Sequence, residues 1–256
     1  MARRPRTEYP GSIHHVTARG IGRRALFADD ADRSAFLSLL GTEVVEQGWT
    51  CHSYCLMGNH YHLVVRVGDS GLARGMYRLN GLFSQRYNRT YGVVGHVLDK
   101  RFANQLVGHH EHLLELVRYV HLNPVRAGLC RLPDGWRWSS YRAIAGLEPP
   151  LGGLAPEETL GLFGRDPEVA RGAFARFVVA GIAIPPPARP ADAGRPGLLD
   201  LVRTLGLEGA RLAVEMYGYT REDVASALGV HPRTLRRHLQ ALSHSGPGPE
   251  PDIPGR

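Results

Sequence analysis

Two short runs, 49–57 and 60–67, restrict what this chain can become. Both are dominated by apolar, aromatic and β-branched residues, and Gly58-Asn59 between them is a turn of hairpin type. Together they predict a β-hairpin. The second strand opens on His60-Tyr61-His62 and continues through Leu63, Val64 and Val65. Side chains alternate faces along a strand, so His60 and His62 share one face while Tyr61 and Leu63 point into a core on the other.

The periodicity on either side extends this hairpin into a domain. Residues 12–18 read as a strand closed by Arg19-Gly20. Residues 30–47 read as an amphipathic helix with Phe36, Leu37, Leu40, Val44 and Val45 on its buried side, ended by Gly48. A second helix is predicted over 71–88, with Leu72, Met76, Leu79, Phe83 and Tyr87 inward, then a short strand at 101–107. A third helix over 110–122 buries Leu113, Leu116, Val117 and Val120. Pro124 disfavours the helical conformation at Asn123, so this helix is expected to stop there. The order β-α-β-β-α-β-α predicts an α+β fold, a ferredoxin-like antiparallel sheet with helices on one face. A Trp/Tyr-rich coda at 133–147 (Trp136, Trp138, Tyr141) is expected to pack on the sheet.

Beyond 147 the composition shifts. Pro149-Pro150, Gly152-Gly153, Pro185-Pro186-Pro187 and Pro190 predict a linker over 148–196, with one or two short helices within 156–180. A second unit is expected at 197–243. Thr220 is placed to cap a short helix, Gly229-Val230-His231 to turn, and Pro232 to start a basic helix carrying Arg233, Thr234, Arg236, Arg237 and His238. A short helix, a glycine turn and a basic helix predict a helix-turn-helix. The plain alternative is a helical hairpin with a charged outer face. The tail, 244–256, is expected to be disordered.

Charge points to the class of partner. Of 256 residues, 43% are hydrophobic and 21% charged, with a net charge of +7 and a pI near 9.7. Lys100 is the only lysine, so the excess is arginine. Arginine suits bidentate phosphate contacts, and the positive balance suits nucleic acid. Arg19, Arg23, Arg24, Arg101, Arg118 and Arg126 are candidates for a phosphate track. Three cysteines, Cys51, Cys55 and Cys130, make no disulfide framework, which predicts a reducing, cytoplasmic setting. No apolar run is long enough to span a membrane, and the basic N-terminus reads as an arm rather than a signal peptide.

The chemistry lies in His60, His62, Tyr119 and Asn123. Two imidazoles on one strand face can hold a divalent metal. Tyr119 and Asn123 are four residues apart and so share a helix face. A phenol is little ionised at neutral pH, whereas a nearby cation stabilises charge developing on a phosphate. This combination suits phenol attack on a phosphodiester, leaving a covalent protein–DNA intermediate. Asn123 offers a carbonyl oxygen as third ligand. The neutral, mixed set favours Mg²⁺ or Mn²⁺, with zinc as the alternative. Taken singly each residue has an ordinary reading: histidines at a strand edge, or a tyrosine buried in a helix. Cys51 and Cys55 share strand parity and would be the extra ligands of a zinc site. One of His14 and His15 is expected to face the site.

Longer strings carry a resemblance. Ile13-His14-His15-Val16-Thr17-Ala18-Arg19-Gly20, Cys55 to Leu63, Gly95-His96 with Arg101-Phe102, Arg118 to Gly128 and Trp138-Ser139-Ser140-Tyr141 resemble the single-tyrosine HUH transposases, in particular their REP-associated branch. The resemblance covers about residues 8–147. It implies an HUH endonuclease fold that cuts and rejoins single-stranded DNA at hairpin-forming repeats through a 5′-phosphotyrosine. It also implies His60 and His62 as metal ligands, Asn123 as the third, and Tyr119 as nucleophile. Leu98-Asp99-Lys100 departs from the aromatic-containing string usual there. The 197–243 unit lies outside this match and resembles the helix-turn-helix of replication-initiator DNA-binding domains, which implies duplex DNA contact. Two other readings compete: a rolling-circle type nickase using the same histidines, and a regulator that binds hairpins without cutting. Monomer and homodimer both remain open.

Overall fold

The computed structural model describes residues 8–69, 71–108, 110–183, 198, 202, 206, 207, 210, 213, 214, 219 and 221–244. The chain divides into two compact units, Met1–Pro185 and Pro186–Arg256.

The first unit is built on four strands, β1 (Ile13–Arg19), β2 (Thr50–Leu56), β3 (His60–Arg66) and β4 (Ala103–Val107). They lie in the order β2-β3-β1-β4 with every neighbouring pair antiparallel, the ferredoxin-like arrangement. Helix α1 (Asp30–Gln47) joins β1 to β2, and α2 (Ala73–Tyr91) joins β3 to β4. Asp29 caps α1 by accepting from the Asp32 amide, and Gly48, at φ +62°, ends it in a left-handed turn. Both crossover helices cover the face carrying Tyr61, which is fully buried, its ring 4.7 Å from Phe36 and its hydroxyl donating to Asn80 at 2.7 Å. Gly75 lets α2 lie against Trp49, because a Cβ there would sit 2.5 Å from the indole. Val45, expected inside, is 80% exposed; Val44 takes the core position and packs where Gly153 leaves room.

Helix α3 (His110–Arg126) crosses the opposite face of the sheet, over β2 and β3. It buries Leu113, Leu116, Val117 and Val120 as its periodicity requires, but it does not stop at Asn123. Pro124 has no N–H to give, yet the helix continues through Arg126, with the Ala127 amide bonding Asn123 O and Leu129 bonding Pro124 O, each at 2.9 Å. Pro124 is itself buried among Val120 and Leu122, so packing outweighs the local preference.

The coda closes the free edge of β2. The Leu56 amide donates to Trp138 O, the Tyr54 amide to Ser140 Oγ, and Trp136 Nε1 to Leu56 O. A short helix α4 (Tyr141–Ile144) follows. Residues 148–183 are not a linker: α5 (Pro156–Leu160) and α6 (Pro167–Ala180) bury Leu160, Ala170, Phe174 and Val178 in the same core. Phe174 packs edge-on with His121 of α3 and Phe163 and at a tilt with Tyr141 of α4. Residues 184–196 lie outside the described set.

In the second unit, helices Arg221–Leu228 and Pro232–His244 flank a turn with Gly229 at φ +67°. Val224, Ala225 and Leu235 are buried between them, while Arg233 and Arg237 are exposed. Thr220, the side chain of Arg236 and the tail beyond His244 fall outside what the structure describes. Among the described residues no helix is long and apolar enough to cross a membrane.

Candidate active site

Strand alternation places His60 and His62 on the face opposite Tyr61. Antiparallel pairing sets His60 beside Arg19, and His62 between Thr17 of β1 and Cys55 of β2. The two imidazoles stand edge to face with centroids 5.0 Å apart. Helix α3 brings Tyr119 down onto them, its ring 5.5 Å from His62 and nearly perpendicular to it. The Arg126 guanidinium lies 5.7 Å from the same ring, about two helical turns further on.

Asn59 fixes the state of His60. Its Nδ2 donates to Arg23 O at 3.2 Å, so its Oδ1 faces His60 Nδ1, 2.8 Å away. An amide oxygen only accepts, so His60 Nδ1 carries the proton and Nε2 keeps its lone pair. His62 Nδ1 meets His15 Nε2 at 3.0 Å, and His62 Nε2 is buried with no partner among the described residues. Burial holds both site histidines neutral: His60 is pushed down to about 4, by desolvation and then by the Arg19 charge, and His62 is also well below its ordinary value.

Tyr119 Oη is likewise buried and makes no hydrogen bond of full geometry among the described residues, although the Asn123 amide lies close enough to act on it. Loss of water pushes its pKa up to about 12, partly opposed by the Asn123 amide and by the Arg126 and Arg19 charges. The phenol is therefore protonated at rest and needs help to react. Asn123 sits a turn away on the same helix face, its Nδ2 donating to Tyr119 O at 2.9 Å. That leaves Oδ1 as the one group the amide has to offer a cation.

Among the described residues no cluster of three or more His, Cys, Asp or Glu side chains is arranged to hold a metal. The donors expected from the sequence are the His60 and His62 imidazoles and the Asn123 amide oxygen. The set fits a divalent cation in one respect: His62 Nε2 is a buried ring nitrogen with no hydrogen-bond partner among the described residues. Cys51 does not enlarge the set, and of the two cysteines only Cys55 shares the histidine face. A bulge between Cys51 and Ser53 pairs Cys51 with Val65 and Cys55 with His62, which lie on opposite sheet faces, so the shared parity is broken.

The arginines divide into two groups. Arg19 and Arg101 are exposed, and the loop leading to Arg101 runs along β1, with the Asp99 amide bonding Arg19 O. Arg23 and Arg24 are exposed on the same rim. Arg118 is not available: it bonds Glu115 and Phe177 O, and its guanidinium stacks 3.7 Å from the Phe177 ring centroid. It fastens α6 to α3. Asn59 and His15 are the site residues that sequence alone distinguishes least. Asn59 reads as a turn former, and only the strand register tells His15, facing the site, from His14, which bonds Ser12 Oγ on the other face.

No protein-family model matches this chain, and no curated protein matches it. One solved structure, a REP-associated tyrosine transposase bound to a REP hairpin, aligns with a TM-score of 0.49 at 18% identity, covering 58% of this chain and 89% of the other.

Proposed function

We propose that this protein is a metal-dependent single-stranded DNA endonuclease and strand transferase, a transposase of the single-tyrosine HUH type, acting at hairpin-forming repeats. The observation that carries the reading is the phenol of Tyr119, without a hydrogen bond of full geometry, set against the histidine face of β3, beside the buried free nitrogen of His62. A buried hydroxyl with no partner is costly unless the site uses it.

In this reading Tyr119 Oη attacks a backbone phosphorus. The phosphorus–oxygen bond to the upstream nucleotide breaks, that fragment leaves with a free 3′-OH, and the downstream strand stays on Tyr119 as a 5′-phosphotyrosine. A 3′-OH then attacks the phosphotyrosine, so the bond is exchanged rather than consumed. His60, His62 and Asn123 Oδ1 would hold Mg²⁺ or Mn²⁺, which polarises the phosphate and stabilises its developing charge. Arg126 and Arg19 flank the phenol and the histidines, where they would steady the strand's phosphates. Arg101, with Arg23 and Arg24, would extend that track. The exposed Arg233 and Arg237, with Arg236 on the same helix, would tether the protein to duplex DNA.

The test is a denaturing gel of the full chain with labelled hairpin oligonucleotides drawn from repeats flanking its own gene, with Mg²⁺, Mn²⁺ or EDTA. A metal-dependent covalent adduct that disappears in Tyr119→Phe supports the reading. Tight hairpin binding without cleavage under any metal overturns it in favour of a non-cutting regulator.

A further inference from the structure

We infer that His15 is a positioning residue that holds His62 in the one tautomer able to bind a metal. The inference rests on the proposal that His60 and His62 carry the cation.

The geometry is a hydrogen bond of 3.0 Å between His15 Nε2 and His62 Nδ1, the two rings edge to edge with centroids 5.2 Å apart and planes 13° from parallel, as an in-plane N–H···N bond requires. Two neutral imidazoles sharing one contact share one proton, and only two arrangements exist. If His15 donates, His62 Nδ1 is the acceptor and its proton moves to Nε2, where it is a buried N–H with no acceptor among the described residues and no lone pair faces a cation. If His62 donates, Nε2 is bare. The second arrangement reproduces at His62 what Asn59 Oδ1 enforces at His60, so both histidines present Nε2. A partner on the far ring nitrogen that sets the tautomer and orientation of a ligating histidine is a recurrent device.

His15 is fit to hold this arrangement because it is buried in a central strand. It is 7% exposed, centred in β1 between β3 and β4, and its ring stands edge-on to Tyr119 at 6.1 Å. One side chain thus touches both the ligand and the nucleophile without belonging to either role.

The test pairs Mn²⁺ titrations of the full chain, followed by electron paramagnetic resonance, with imidazole ¹⁵N spectra of the metal-free wild type. His15→Phe keeps the bulk and removes the acceptor; its Mn²⁺ affinity should fall by about tenfold or more. His15→Gln restores an acceptor at the Nε2 position and should recover most of that loss. The spectra should show His62 protonated on Nδ1 and bare on Nε2. Unchanged affinity in His15→Phe, or a proton on His62 Nε2 in the wild type, overturns the inference. His62→Ala separates the two levels. If it binds Mn²⁺ as the wild type does, the metal reading itself fails, and the tautomer spectrum alone then decides the role of His15.

Discussion

The ring of Tyr119 stands edge-on to His62 at 5.5 Å, yet the phenol oxygen makes no hydrogen bond of full geometry among the described residues. A buried, unsatisfied hydroxyl lowers stability by about 1–3 kcal/mol relative to a satisfied one. Tyr119→Phe is therefore expected to fold at least as stably as the wild type, and to gain up to about 1 kcal/mol in urea unfolding. Its ability to form a DNA adduct should vanish. A loss of more than about 1 kcal/mol would reveal a structural partner for the hydroxyl.

Cation binding should stabilise the folded chain, because a ligand that binds only the native state shifts unfolding by mass action. Mn²⁺ at about one hundred times its dissociation constant should add about 2.7 kcal/mol to the wild type. EDTA should abolish that gain, and His62→Ala should show none of it. An equal gain in His62→Ala would place the cation elsewhere.

The arginines separate into fasteners and strand contacts. Arg118→Ala breaks bonds to Glu115 and Phe177 O and the stack on Phe177, so it should cost about 1–3 kcal/mol of stability while leaving hairpin affinity unchanged. Arg126→Ala should do the reverse, weakening hairpin binding and lowering its salt slope by about one. Unfolding curves and salt-dependent binding of both variants give the comparison, and a hairpin-binding defect in Arg118→Ala would contradict the assignment.

Acid should destabilise the fold through its buried histidines. Burial pushes His52 down to about 4 and His121 to about 3, from an ordinary value of 6.5. Above pH 6.5 both are neutral whether folded or unfolded, and they contribute no pH dependence. Below it the unfolded chain takes up protons that the folded one refuses, so stability falls with pH by about 1.4 kcal/mol per unit for each histidine. The fall ends only at the folded values. Urea unfolding at about pH 7 and about pH 5 measures it, and His121→Gln should flatten the slope by one proton's share. Equal stability at the two pH values would contradict this.

Local patterns carried most of the fold. The hairpin at Gly58-Asn59, the Gly48 end of α1 and the alternation that sends Tyr61 one way and His62 the other are all written in neighbouring residues. What stayed hidden depends on contacts distant in sequence. The bulge that separates Cys51 from Cys55 arises from pairing with β3, and the helix passes Pro124 because tertiary packing overrides a dipeptide preference. The segment after 147 reads as linker by its prolines, yet Phe174 and Val178 find a core against α3. Arg118 and Arg126 were equal candidates for phosphate contact in sequence; only the docking of α6 tells them apart.

The most direct test of the central claim is to map the covalent bond. The full chain is incubated with a hairpin oligonucleotide and Mn²⁺, the DNA is trimmed with nuclease, and the peptides are sequenced by mass spectrometry. The expected result is a nucleotide 5′-phosphate carried on Tyr119 and absent when EDTA replaces the metal. A phosphate remnant on any other side chain, or bound hairpin with no remnant at all, would contradict the assignment of Tyr119 as nucleophile.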